Sequence, residues 1–460
     1  MIGKEKLQEL LALGVSTGAD FAEIFLEDSA NRSMNSIGGQ IIASKTSNVF
    51  GAGIRLLQGG DEVYGYTNDV SFDNLKKLIL DLASSYSGPK GVLEPLKDAK
   101  PYKVIAKKFG AKAKAKVKAD KLMKLSSLIK DYDPKIVQAV ANLIEYEQKV
   151  LIVNSLGVYQ DDLRVRTRVI LAAYAQDEKG MVEVFEGPGQ SMGIELFDKI
   201  DLEALALDVA KRAIDALSAA DIVSQKMPVV LHNAFGGVIF HEACGHPLEA
   251  TSVAKGLSPF ANRIGDKVGS DILSARDNGT LKGEWGWQNF DDEGSPTKDN
   301  LLIENGVLKG YLIDYRNSRK MNMEPTGSSR RQSYKYSPTS RMSSTYITNG
   351  TDTLEAIIKD TKYGLFAKKL GGGQVNPATG EFNFAVSEGY MIEDGKLTKQ
   401  VRGAMLIGQG KDILYKIDRI ASNLELGQGM CGSLSGSIPV DVGQPSIRVT
   451  ELTVGGGGKE

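Results

Sequence analysis

Only three histidines occur in the 460 residues, and two of them stand five apart in Phe240-His241-Glu242-Ala243-Cys244-Gly245-His246-Pro247. Two imidazoles beside a glutamate are the materials of a hydrolytic zinc centre: the rings bind the ion and the carboxylate serves as general base. The spacing is one residue longer than HExxH. At about 100° per residue, histidines four apart diverge by about 40° around a helix and histidines five apart by about 140°, so a regular helix cannot aim both at one ion. A wide turn with i→i+5 hydrogen bonds would bring them back, and such turns concentrate at functional sites. Gly245 loosens the backbone, and Pro247 withholds a donor and crowds the carbonyl of Ala243. The expectation is a bent or terminating helix carrying two ligands.

A catalytic zinc needs a third protein ligand and keeps a position for water. One candidate is His232, nine residues before His241 at the end of a strand expected over 228–231. The other is Cys431, in the loop-like, glycine-flanked run Leu426-Gly427-Gln428-Gly429-Met430-Cys431-Gly432-Ser433. Two cysteines in a chain of this length otherwise read as small buried hydrophobes. Cys244 keeps that reading, because two further chelators on one turn would overfill a tetrahedral site. Arg330, Arg331, Tyr334 and Arg341 are candidates for stabilising an oxyanion or gripping a peptide carboxylate, with Arg331 and Tyr334 ranked first. The competing reading is exposed loop charge.

The stretch from His241 through Pro247-Leu248-Glu249-Ala250 resembles the signature of the TldD side of the TldD/PmbA metallopeptidase family. Glu324-Pro325-Thr326-Gly327, Arg330-Arg331-Gln332-Ser333-Tyr334 and Arg341-Met342 resemble its PTGNGRRxSY…PRM segment. Gly372-Gly373-Gln374-Val375, Val401-Arg402-Gly403-Ala404, the GxCG of Gly429–Gly432 and Val442-Gly443-Gln444-Pro445 resemble further blocks. The match is dense in the C-terminal half. The resemblance implies His241, His246 and Cys431 as ligands of Zn2+ and Glu242 as base. It also implies cleavage of short or unfolded polypeptides, in a homodimer or in a heterodimer with a PmbA-like chain that lacks HExxxH. Members are associated with maturing peptide antibiotics and removing labile antitoxins.

The elements that must position these residues divide at about residue 222. In 1–222, a helix over 3–13 precedes short strands at 21–26, 40–44, 49–57 and 62–66, an antiparallel meander, and a helix after Ser71. Lys112, Lys114, Lys116 and Lys118 recur at every second position within 106–124, read as a solvated strand or linker face rather than an anionic-surface patch, with Asp120 opening a helix. Asp133-Pro134 reads as a short helix start. Strands return from 142 to 186 and a helix covers 195–217, so meander-then-helix occurs twice, as in an internal duplication. In 223–460, a strand over 227–231 leads into the motif helix, whose Gly236 and Gly237 suit close packing on a sheet. Trp285 and Trp287 read as core. Short strands then follow to residue 454, broken by a helix at 353–361. The fold class expected is α+β: an N-terminal domain of antiparallel meanders and helices, then a β-rich barrel- or sandwich-like domain carrying the metal-binding helix.

Composition narrows the function. With 56 basic against 57 acidic side chains, the chain lacks the basic excess of a nucleic-acid binder. No apolar run of about 20 residues could span a membrane, and no secretory leader is visible. Two distant cysteines make no disulfide framework, which suits a reducing cytoplasm. The function expected is a zinc metallopeptidase that hydrolyses short or unfolded polypeptides by Glu-assisted attack of zinc-activated water. The alternative is a non-catalytic modulator with structural zinc, in which His232 or Cys244 would close the site; the family's older description as a modulator of DNA gyrase belongs there.

Overall fold

The computed structural model describes residues 2–376 and 380–456. A seven-stranded antiparallel sheet runs in the order Asp61–Thr67, Gln40–Gln58, Phe21–Ile37, Ile136–Asn154, Tyr159–Asp177, Gly180–Glu186, with Gly189–Gln190 pairing beside Tyr159–Asp177. Helices Lys4–Gly14 and Phe72–Ala83 bury Leu7, Leu10, Leu11, Leu75 and Ile79 against Ala22, Ile24, Ile54 and Leu56 of one half. Helices Ala115–Lys130 and Leu202–Leu217 bury Leu122, Leu125, Ile129, Val209 and Ala213 against Leu143, Val169 and Leu171 of the other. Helix, three-stranded meander and helix thus occur twice, joined where Phe21–Ile37 pairs with Ile136–Asn154.

Strand alternation gives this sheet a second buried face. Ala22, Ile24 and Leu26 point to the helices, while Glu23, Phe25 and Glu27 point away, yet all six are buried. What covers them is the C-terminal half, through Arg331, Tyr334 and Glu293.

In that half, five strands close into a barrel: Gln225–Leu231, Tyr363–Val375, Glu381–Glu393, Met405–Gln409 and Ile447–Gly455, each paired to two others of the ring. A six-stranded sheet lies beside it, ordered Val307–Leu308, Asp299–Glu304, Ala275–Asn278, Ser344–Ile347, Gly436–Gln444, Glu425–Ser433. The motif segment is buried between them, with Ile239, Phe240, Ala243 and Leu248 in one core with Leu231, Phe382, Leu406 and Val442.

Several expectations are corrected. Strands near the N-terminus are longer than read: Phe21–Ile37 has 17 residues and Gln40–Gln58 has 19. The lysine run is neither strand nor linker, because helix Ala115–Lys130 begins five residues before Asp120 and buries Lys118 on Glu145 at 2.8 Å. Asp133-Pro134 forms a turn into Ile136–Asn154, not a helix. The helix read over 195–217 breaks at Ile200, and Asp201 caps the second part by accepting from the Ala204 amide. Leu426–Ser433 is strand, the outer arm of the hairpin Glu425–Ser433/Gly436–Gln444.

Candidate functional site

The helix after Asn233 tightens and then widens. Ala234–Gly237 is 3-10, Val238–Phe240 is α, His241–Gly245 is a π turn, and His246–Leu248 is again 3-10. The π turn is the device that five-residue spacing requires. Gly237 lets this segment dock, because a Cβ there would meet the backbone of Gly443 at 2.5 Å. Gly245 has ordinary helical angles, so flexibility is not its use; a Cβ would stand 2.2 Å from Met342 Sδ.

The turn brings both rings to the hairpin. Cys431 Sγ lies 3.4 Å from His241 Nε2 and 3.2 Å from His246 Nε2. The three ligand atoms lie within 4.8 Å of one another, the only such metal-ligating group among the described residues. Zinc bonds of about 2.3 Å to sulfur and about 2.1 Å to nitrogen, at a tetrahedral angle, put S and N about 3.6 Å apart. The observed edges are a few tenths of an ångström shorter, and the His2Cys donor set is borderline-soft, so the residues fit zinc.

Electrostatics prepares the thiol as a ligand. Burial alone would push the Cys431 thiol up, but His241 and then His246 outweigh it and bring it down to about 3. Burial pulls His246 down, and Glu249 with the Cys431 thiolate outweighs that and holds it well above 6.5. The thiolate is the species that binds metal.

Glu242 stands on the open side. Its Oε2 is 3.7 Å from His246 Nε2 and its side chain is 30 % exposed, whereas His241 and Cys431 are 2 % and 5 % exposed. Glu249, which sequence reading passed over, puts Oε2 3.1 Å from His246 Nδ1. The signal available for it was a carboxylate three residues beyond a ligand histidine.

Other expected residues lie elsewhere. His232 Nδ1 is 2.9 Å from Ser446 Oγ, and its ring packs on Phe366. Cys244 Sγ faces the Gly410 carbonyl, and burial pushes its thiol well up. Arg331 and Tyr334 are not exposed loop residues, nor do their partners include the triad. Arg331 donates to Glu23 Oε1 at 2.5 Å and the Asp292 carbonyl at 2.8 Å, with its guanidinium 4.3 Å over the Phe25 ring. Tyr334 is buried beside Phe25, Val150 and Ile152, its amide donating to Glu27. Arg330 donates to the carbonyls of Met342 and Pro439. Arg341 alone of these reaches the site, donating to the Cys431 carbonyl at 2.5 Å. Trp285 is core, its indole N–H donating to the Gly429 carbonyl.

Profiles of the PmbA/TldA metallopeptidase family match in three pieces: domain 1 at residues 22–85, the central domain at 110–217 and the C-terminal domain at 224–456. The chain belongs to this family. A TldD homologue described as a metalloprotease, from Haemophilus influenzae, is 32 % identical over 448 residues, covering 95 % of this chain and 93 % of its own. A zinc metalloprotease TldD homologue from Saccharolobus solfataricus is 31 % identical over 278 residues, 60 % of this chain and 61 % of its own. In fold, the chain matches TldE from Thermococcus kodakarensis with a TM-score of 0.75 at 18 % identity, covering 98 % of this chain and 100 % of that one. It matches a Thermotoga maritima protein, described by a suspected role as modulator of a DNA gyrase, with a TM-score of 0.81 at 21 % identity, covering 98 % and 99 %. This PmbA/TldD chain is a metallopeptidase. Among the described residues, no helix is long and apolar enough to cross a membrane.

Proposed function

We propose that the chain is a zinc-dependent peptidase for short or unfolded polypeptides, with His241, His246 and Cys431 as ligands and Glu242 as general base. The carrying observation is three zinc-type donors converging beside a carboxylate that alone of the four side chains is substantially open to solvent. A bound zinc supplies polarisation of the scissile carbonyl and acidification of a water near neutral pH. Glu242 takes the proton from that water and delivers it to the leaving amine, work that needs a carboxylate within hydrogen-bond reach of the attacking oxygen. Its approach to His246 from the exposed side supports that role. A thiolate ligand lowers the Lewis acidity of the ion, so turnover is modest. The depth of His241 and Cys431 favours an extended segment as substrate, since a folded surface could not reach them.

The relative named as a zinc metalloprotease supports the choice of metal. The modulator alternative needs a fourth protein ligand, and the partners of His232 and Cys244 count against either supplying it. Arg331 and Tyr334 drop out of the substrate-binding proposal because both are buried against the seven-stranded sheet, Arg331 on Glu23 and Tyr334 beside Phe25. A two-part organisation, 1–222 and 223–460, is supported by the family profiles meeting between 217 and 224. The fold shared with TldE supports assembly of two such chains, alike or unlike. The need to keep Cys431 a thiolate supports a reducing, cytoplasmic setting.

The test is metal content of the purified chain beside Cys431→Ser. One zinc per chain, lost in the variant, is expected. Zinc retained at full stoichiometry in Cys431→Ser would overturn the ligand set.

A further inference from the structure

Behind the triad lies a buried pair that the proposed mechanism does not use. Glu249 leaves the helix with extended angles, φ −72 and ψ 131, immediately after the 3-10 turn that contains Pro247. Its backbone is clamped on both sides: Leu312 donates to the Leu248 carbonyl and Ala250 donates to the Leu312 carbonyl. The carboxylate therefore has little freedom, and it points back at the ligand. His246 presents Nδ1 to Glu249 at 3.1 Å and Nε2 to Cys431 at 3.2 Å. One imidazole thus spans carboxylate and thiol through its two nitrogens.

Arg341 does the matching work on the hairpin. It is fully buried, its Nη2 donates to the Cys431 carbonyl at 2.5 Å, and its Nη1 donates to Ser435 Oγ and the Gly436 carbonyl, each at 2.9 Å. The fork grips the strand at the ligand and the turn that follows it. Glu249 Oε1 and Arg341 Nε face each other at 3.9 Å, and neither makes a hydrogen bond. As an ion pair this is poor geometry for two buried charges, and a buried pair held only that loosely does not offset its desolvation. Their close contacts go to the ligands instead.

We propose that Glu249 and Arg341 are positioning residues of the metal centre. Glu249 holds the proton of His246 on Nδ1 and fixes the ring plane, so that the Nε2 lone pair faces the ion. Arg341 fixes the main chain of Cys431, so that Sγ meets the same point. Through these separate contacts, one on His246 and one on the Cys431 main chain, the motif segment and the hairpin are held in register. Carboxylates in this relation to a ligand histidine change metal affinity by about 10–100-fold when removed. The inference rests on the zinc reading above, and its failure can be told apart from failure of that reading.

The experiment compares full-length wild type, Glu249→Gln and Arg341→Lys. Zinc affinity is read by competition with a chromophoric chelator, the ligand field by cobalt(II) substitution, and the melting temperature on the metal-free chains. Expected for Glu249→Gln is a zinc affinity about 10–100-fold weaker with an altered cobalt spectrum, at a metal-free melting temperature near wild type. Arg341→Lys keeps the charge and loses the fork; its expected signature is a weakened thiolate-to-cobalt charge-transfer band. Either variant suffices should the other not fold. If wild type takes up neither zinc nor cobalt, the metallopeptidase site assignment fails. If wild type binds zinc and both variants match it in affinity and spectrum, the positioning roles are overturned. They are equally overturned if the variants lose metal only in proportion to a lowered metal-free melting temperature.

Discussion

Two buried constellations lie in this molecule, and they are built on opposite rules. At the seam between the seven-stranded sheet and the C-terminal half, charges alternate: Arg55 with Glu23 and Glu293, Arg331 with Glu23, Arg164 with Asp162 and Asp292, at 2.5–3.3 Å. Each cation meets an anion from another part of the chain. At the triad, three side chains of one kind, all potential ligands, converge on one point, and only Glu242 opens outward. The seam holds more charge, yet its acids and cations are set against one another across the interior rather than converging on one point. Convergence of like donors, rather than density of charge, marks the place where chemistry with a third party can occur.

The largest effects should separate the two. Glu242→Gln leaves one zinc per chain and lowers peptide hydrolysis by about 10²–10⁴-fold, the usual span for a general base; zinc analysis and a peptide assay on one preparation check it. A zinc-loaded variant of wild-type activity would remove Glu242 from the mechanism. Arg331→Met should give the mirror image. Glu23 loses one of its two cations, and breaking a buried pair costs about 3–5 kcal/mol. Denaturant unfolding should register that loss while zinc per folded chain stays at the wild-type value. Loss of zinc without loss of stability would place Arg331 at the site after all.

Much of the contrast was legible in the sequence, and the illegible part has physical causes. The spacing of His241 and His246, read against 3.6 residues per turn, demanded the wide turn that the fold contains. Cys431 is another matter: no local periodicity ties it to the motif, and its glycine-flanked run left it open beside His232 until the family resemblance favoured it. Its strand read as loop because Gly427, Gly429 and Gly432 depress strand propensity. Gly427 is there for contact, since a Cβ would stand 2.8 Å from the Phe235 amide nitrogen. Arg331 and Tyr334 were misplaced for a deeper reason: a polar segment facing a second sheet has the same composition as one facing a substrate. The long first strands were read short because their far ends, around Asn31 and Lys45, lack the apolar alternation of a buried face.

A smaller effect concerns the layer that carries the hairpin. Burial first, and then Glu284, push the Asp441 carboxyl up to about 7, although the Gly286 amide and Ser344 hydroxyl donate to it. With its folded value above the unfolded 3.8, this group's contribution to stability is complete below about 3.8 and is lost as pH rises through about 7. Stability of the metal-free chain should therefore fall from pH 5 to pH 8, by at most ~1.4 kcal/mol per pH unit from a single group. Asp441→Asn should flatten that slope. An unchanged slope would assign it to the other buried acids of the seam.

The smallest expected effect tests whether charge density alone ever matters here. Lys112, Lys114 and Lys116 are exposed and stand in the most basic run of the chain, while Lys118, two residues on, is buried and donates to Glu145 at 2.8 Å and to the Gly110 carbonyl at 3.1 Å. Substituting the three exposed lysines by glutamine should move stability by no more than about 0.5 kcal/mol each and leave peptide hydrolysis as it was, because solvated surface charge does little. Lys118→Met strands a buried carboxylate and should cost several times more, about 3–5 kcal/mol, again without touching zinc. The four lysines share type and spacing, so a difference between them comes from placement: Lys112 in the 3-10 turn Gly110–Lys112, Lys114 at the helix N-cap and Lys116 facing out, against Lys118 facing in. If the triple glutamine variant instead slowed hydrolysis, the run would be acting on substrate or partner at a distance, and convergence of donors would no longer be sufficient to locate function in this fold.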